Sequence, residues 1–175
     1  MLEAVHKAGF TYNDLKLDNL MVEFDNKLPK KGTPDHESAF ANATINLVDF
    51  GFAAKYVDKN KVHMPKEELD SFKGNLIFAS LNQLNFFSTS RRDDMVALCY
   101  LLVYVTNNGK LPGIDMEANL DKIESFHASK EAKSKHTIMT LCAGRAECLR
   151  DFATEIFKMK YQDKPDYAKL KTILT

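Results

Sequence analysis

The sequence predicts a mainly α fold of the α+β kind, carrying one small β-hairpin. The stretch "SRRDDMVALCYLLVYVTNNG" (90–109) is apolar almost all round and ends in Asn107, Asn108 and Gly109, the pattern of a buried helix with a left-handed stop. "NLMVEF" (19–24) and "TINLVDF" (44–50) are β-prone, and the segment between them is rich in Asn, Asp, Lys, Gly and Pro. That combination reads as a hairpin with an enlarged loop. With 175 residues the chain fits a single domain, 1–175, able to bury roughly 70% of the surface its unfolded form exposes.

The elements follow in order. Leu2, Val5, His6 and Phe10 keep helical spacing, and Gly9 stands where such a helix stops. After the hairpin, residues 53–90 have no period of either kind. A stretch of that length inside a compact domain is expected to be functional or disordered. Asp93 or Asp94 is placed to cap the central helix, expected from about 93 to 106. A charged helix is expected within 115–135, and its lysine-rich part, 120–135, reads as a solvated face. Two more helices are expected at 136–142 and 146–159, then a last short one opened by Pro165.

Composition removes several function classes. The 24 Lys and Arg balance 24 Asp and Glu, so no electrostatic footprint points to nucleic acid or to an anionic membrane. Cys99, Cys142 and Cys148 show no C-x-x-C spacing, which argues against a disulfide framework or a zinc ribbon and fits thiols of a reducing compartment. His6, His36, His63, His127 and His136 form no H-E-x-x-H pair. "MLEAVHKAGF" lacks the apolar core and cleavage site of a signal peptide. The longest apolar run, 95–105, falls short of the roughly 20 residues a membrane helix needs. The expectation is an intracellular protein, cytoplasmic or nuclear, with no membrane insertion.

Chemistry concentrates in "YNDLKLDNLM" (12–21) and "INLVDFGFAA" (45–54). Phosphoryl transfer from a nucleotide needs positioning, metal ions bridging the phosphates, and a carboxylate near the incoming hydroxyl. Protein kinases place a catalytic-loop Asp five positions before a metal-binding Asn, then a D-F-G whose Asp holds a second metal. Asp14 precedes Asn19 by five, and Asp49-Phe50-Gly51 follows an apolar strand. Hard oxygen ligands such as Asn19 and Asp49 suit magnesium. Lys16 can set a point charge on the transferring group. Either motif alone is weak, whereas their order and their setting together are specific.

These stretches, with "HMPKEELDSFKGNLIFASLNQL", "SRRDDMVALCYLLVYVTNNGKLPG" and "DKPDYAKL", resemble the C-terminal lobe of the casein kinase 1 family of serine/threonine protein kinases, over nearly the whole length. The S-R-R-D-D with L-P, and F-x-G-x-x-x-x-A-S in place of A-P-E, belong to that branch. The resemblance implies a protein-kinase-like C-terminal lobe with a small β-hairpin and a central buried helix. It implies transfer of the γ-phosphate of ATP to Ser or Thr hydroxyls of protein substrates, with ATP and Mg2+ as cofactors. Asp14 would be the catalytic-loop aspartate, Lys16 the phosphate-facing lysine, and Asn19 and Asp49 the magnesium ligands. Met21 would form part of the floor under the adenine. Asp94 would be a buried aspartate bracing the catalytic loop, the other reading being a plain helix cap. Arg91 and Arg92 read as a carboxylate or anion pair, or as a solvated one.

The chain also departs from that family. Tyr12-Asn13 stand in place of His-Arg, so the arginine that pairs with a phosphorylated activation loop is missing. Asn75 replaces a threonine that steadies the catalytic aspartate and lysine. Ile77 replaces an arginine used for phosphate-primed or acidic substrates, with Lys73 the nearest substitute, and Gly113 replaces a tryptophan. No glycine-rich loop, V-A-I-K lysine or glutamate-bearing helix precedes residue 1, so this segment alone is expected to turn over little or no ATP. The rival readings are a pseudokinase-like binding or scaffold module, and a truncated product with no role of its own.

Overall fold

Residues 1–24, 29, 31–115 and 120–175 are described by a computed structural model, leaving aside the side chains of 34–37. Helix dominates, and strands are short. The order is α1 (Leu2–Lys7), β1 (Phe10–Thr11), a 3₁₀ turn at Leu17–Asn19, β2 (Leu20–Glu23), α2 (Pro34–Ala41), β3 (Thr44–Leu47) and β4 (Ala54–Lys55). Then come α3 (Leu81–Leu84), α4 (Arg91–Thr106), α5 (Lys122–Lys135), α6 (Ile138–Leu141), a 3₁₀ stretch at Gly144–Leu149, α7 (Arg150–Phe157) and α8 (Tyr167–Leu174). β2 and β3 pair antiparallel, Leu20 opposite Leu47 and Glu23 opposite Thr44. β1 and β4 form a second, two-residue pair.

α4 organises the core because its sequence leaves it almost no polar face. Met95, Val96, Ala97, Cys99, Tyr100, Leu101 and Val103 are all buried, and Leu141, Leu149, Phe152 and Ile156 from the C-terminal helices pack in the same cluster. Each large apolar side chain so buried contributes about 1.5–3 kcal/mol. The helix stops as expected: Asn108 and Gly109 both take positive φ, 55° and 79°. Its start differs from expectation. Ser90 is the N-cap, and Asp93, at the third helical position, accepts from the Ser90 N–H at 2.8 Å. Asp94 caps nothing; its carboxylate turns away to the loop at 12–13.

Other boundaries also shift. The strand expected to run to residue 50 ends at Leu47, because the Val48 carbonyl accepts from the Tyr12 hydroxyl and Asp49 turns left-handed (φ 57°). The enlarged hairpin loop contains α2, while its residues 25–28 and 30 lie outside the described residues, as do 116–119 of the charged stretch. Residues 53–90 remain largely irregular, stitched by bridges at Val57 with His63 and Glu68 with Phe87. Asp166 caps the last helix through the Lys169 N–H, so Pro165 precedes the cap. The 120–135 stretch is more than a solvated face, since Lys133 is buried. Among the described residues, no helix is long and apolar enough to cross a membrane.

Candidate functional site

The loop after β1 is held by its backbone. Tyr12 N–H and Asn13 N–H donate to the two oxygens of Asp94 at 2.7 and 2.8 Å, and His6 Nε2 lies 2.8 Å from Oδ2. Asp94 is 1% exposed, so this carboxylate is a buried charge satisfied by three partners, the condition under which such a charge is tolerated. The His6 ring is held in turn by the Tyr167 hydroxyl, 2.6 Å from Nδ1.

Asn13 adopts φ 72°, a conformation open to asparagine at low cost. Its side chain donates to the Phe52 carbonyl (2.8 Å) and accepts from the Thr89 hydroxyl (2.6 Å). Its own carbonyl accepts from Gln83 Nε2 at 3.0 Å, and the same amide donates to the Lys73 carbonyl at 2.6 Å. One residue thus ties the loop to both ends of the irregular 53–90 segment. Gly74 fits under this joint: a Cβ there would stand 2.3 Å from the Asn13 oxygen.

Turning the backbone this way brings Asp14, Lys16 and Asn19 together. Asp14 is 1% exposed, and its Oδ2 accepts from Lys16 Nζ (2.8 Å) and Asn19 Nδ2 (2.9 Å). Asn19 Nδ2 also reaches the Asp14 carbonyl at 3.0 Å, closing a ring across the 3₁₀ turn. The bond from Asp14 raises the Lys16 pKa, and the nearby negative charges of Asp14 and Asp49 add to it. Lys16 therefore senses both carboxylates. Asp49 is reached through the hairpin: Val48 N–H donates to the Asn19 carbonyl at 3.0 Å, which sets the next residue beside the turn. Asp49 is exposed, and its Oδ1 accepts from the Gly51 N–H at 3.1 Å. Met21, on β2 opposite Asn46, is 55% exposed on the hairpin.

Tyr12 supplies the floor. It is fully buried, donates to the Val48 carbonyl at 2.5 Å, and meets the Phe50 ring edge to face at 5.4 Å. Burial, then the charges of Asp14, Asp49 and Asp94, push its hydroxyl up to about 12. Asn75 does not reach the cluster by any described bond; its Oδ1 accepts from the Ile77 and Phe78 N–H groups and caps its own turn. Ile77 is partly buried against the core and Lys73 is exposed. Arg92 pairs with Asp93 at 3.1 Å, whereas Arg91 donates to the Gln162 carbonyl at 2.9 Å and stacks on Tyr56.

The donor set fits a hard divalent cation. Asn19 spends its amide nitrogen on Asp14, so its amide oxygen is the atom that could ligate a cation, and Asp49 is an exposed carboxylate. Magnesium takes only one or two protein oxygens beside phosphates and water. Among the described residues there is no group of three or more His, Cys, Asp or Glu able to hold a metal unaided. No family model matches the chain. The site-building roles of Asn13, Gln83, Thr89 and His6 carried no signal in the sequence, because they rest on bonds such as Asn13 to Phe52 and His6 to Asp94 that span 39 to 88 positions.

Proposed function

We propose that the chain is the C-terminal lobe of a serine/threonine protein kinase of casein kinase 1 type, transferring the γ-phosphate of ATP to protein hydroxyls with magnesium. One observation carries this reading: Asp14, Lys16 and Asn19 form a single bonded cluster, and the Val48 N–H bond to the Asn19 carbonyl brings Asp49 next to it. Asp14 takes its side-chain bonds on Oδ2, so Oδ1 is the oxygen that would orient an incoming hydroxyl. Lys16 would neutralise charge on the transferring group. Asn19 and Asp49 would hold the metal, which supplies charge neutralisation of the phosphates when bound, and Met21 would lie beneath the base.

A scaffold or pseudokinase-like role is the second reading, favoured by Asn75, whose side-chain oxygen serves its own turn. Amide spectra of the labelled chain separate the two. ATP with Mg2+ should shift signals around Asp14, Asn19 and Asp49, and the metal-dependent part should vanish in Asp49→Ala. Shifts that are identical in EDTA, or that survive Asp49→Ala, would refute the metal assignment.

A further inference from the structure

On α5, a helix with lysines at 122, 130, 133 and 135, Lys133 alone is buried, at 2% exposure. Its Nζ donates to the carbonyls of Ala79 (2.7 Å) and Leu76 (2.9 Å), and lies 4.8 Å from the centre of the Tyr100 ring. None of the ion pairs among the described residues involves it. An ammonium has three donors. Two rest on carbonyls and the third side meets the negative face of an aromatic ring, so the charge is satisfied without a counter-ion. Burying a charge in this way is costly, and a leucine would fill the same space more cheaply. What distinguishes the lysine is its grip on backbone.

That grip falls on one segment. Leu76 and Ala79 flank the turn capped by Asn75, and the other end of the segment, at Lys73 and Gly74, is held against Asn13 by Gln83. Gly74, Asn75, Leu76 and Ile77 line a cavity of about 450 Å3 together with Ser125 and Ala128 of α5 and the 113–115 segment. Lys133 ties α5 to the 76–79 segment. We infer that Lys133 is a positioning residue: from α5 it fixes the 76–79 backbone, whose 73–74 end abuts Asn13 next to Asp14, so that, if the kinase reading holds, it sets the segment bordering the reacting carboxylate.

The protonation state of the lysine matters to this joint. Burial draws its pKa down to about 7. A neutral amine keeps both carbonyl bonds and loses the charge that strengthens them. The titratable groups facing it are Tyr100 from α4, raised by burial, and His136 after α5. His136 is lowered by burial and by the Lys133 charge, against its bond with the Pro112 carbonyl. Asp93 reaches the segment through Ser80.

Amide exchange in three forms of the full chain tests the inference: wild type, Lys133→Met, which keeps the stem, and Lys133→Arg, which keeps charge and donors. Ile77, Phe78 and Ala79 should exchange roughly tenfold faster in Lys133→Met, the equivalent of one lost bond. Tyr12 and Asn13, held by Asp94, should be unchanged, and Lys133→Arg should restore part of the protection. In wild type the Lys133 side-chain nitrogen and the Leu76 and Ala79 carbonyl signals should titrate together near neutrality. Unchanged exchange at 77–79, a rise spread evenly over α4 and α7, or carbonyl signals that ignore the lysine's titration would overturn it. If Lys133→Met does not fold, the wild-type titration and Lys133→Arg decide. None of these readouts uses ATP, so failure of the kinase reading would appear separately, as absent Mg2+-dependent shifts.

Discussion

Replacing Asp94 with asparagine tests the brace of the 12–13 backbone with almost no change of shape. Asp94 Oδ2 serves Tyr12 N–H and His6, and Oδ1 serves Asn13 N–H. An amide in the same position turns its oxygen to one side and an NH2 to the other, so at least one buried backbone donor meets a donor. An orphaned buried N–H costs about 1–3 kcal/mol, and bonds to a charged acceptor are worth about 1.5–3 kcal/mol against about 1 for neutral ones. A loss of about 3 kcal/mol follows. With a urea slope of about 2 kcal/mol/M, typical of a domain this size, the unfolding midpoint should fall by about 1.5 M. Urea titrations followed by far-ultraviolet circular dichroism measure it, and the exchange rates of the Tyr12 and Asn13 amides localise it. A loss below about 1 kcal/mol, with both amides still protected, would show that the loop is held by something else.

Gly74→Ala should cost about 2 kcal/mol or more, because φ is 118° and the added Cβ would lie 2.5 Å from Gln83 Nε2, forcing the clamp on Asn13 open; urea unfolding reads the loss. Tyr12→Phe removes the bond to the Val48 carbonyl and leaves the contact with Phe50, so it should cost about 1 kcal/mol and loosen amides 48–51 in exchange measurements. Stability should also depend on pH through Lys133. Its folded pKa is about 7 against an ordinary 10.5, so the unfolded chain binds the extra proton between these values and stability rises as pH increases from 7. The gain by pH 10 is at most about 4 kcal/mol, and above that Tyr12, pushed up to about 12, reverses the slope because the unfolded phenol ionises first. In thermal melts the stability of wild type relative to Lys133→Met should be constant below about pH 7 and shift in favour of wild type as pH rises from 7 to 10.

What the sequence could convey depended on whether the signal was local. α4 was legible because burial on every side leaves an uninterrupted apolar run, and its polar stop at Asn107, Asn108 and Gly109 has the expected left-handed turns. The hairpin was legible from its two β-prone runs and the turn-rich segment between them, apart from its end, which is set by Tyr12 reaching Val48 from another part of the chain. Asp93 and Asp94 are neighbours with the same chemistry, yet one closes its own helix and the other braces a loop more than 80 residues away. Spacing cannot separate those roles; only the direction each side chain leaves the helix does. Lys133 was invisible for a related reason. It sits among other lysines on a helix with no strong apolar stripe, so composition gives no hint of which one points inward. The residue types and order of the 12–21 and 45–54 motifs were plain in the sequence, while the bonds that shape them, from Asn13, Gln83 and Thr89, depend on distant partners.

The Asn13 side chain and carbonyl meet only uncharged partners, and all of these are present in the chain as synthesised. The surrounding backbone is therefore held in this arrangement by partners that folding alone brings together. Whatever loosens the 53–90 segment at Gln83 or Thr89 would therefore loosen the backbone at 12–14 with it.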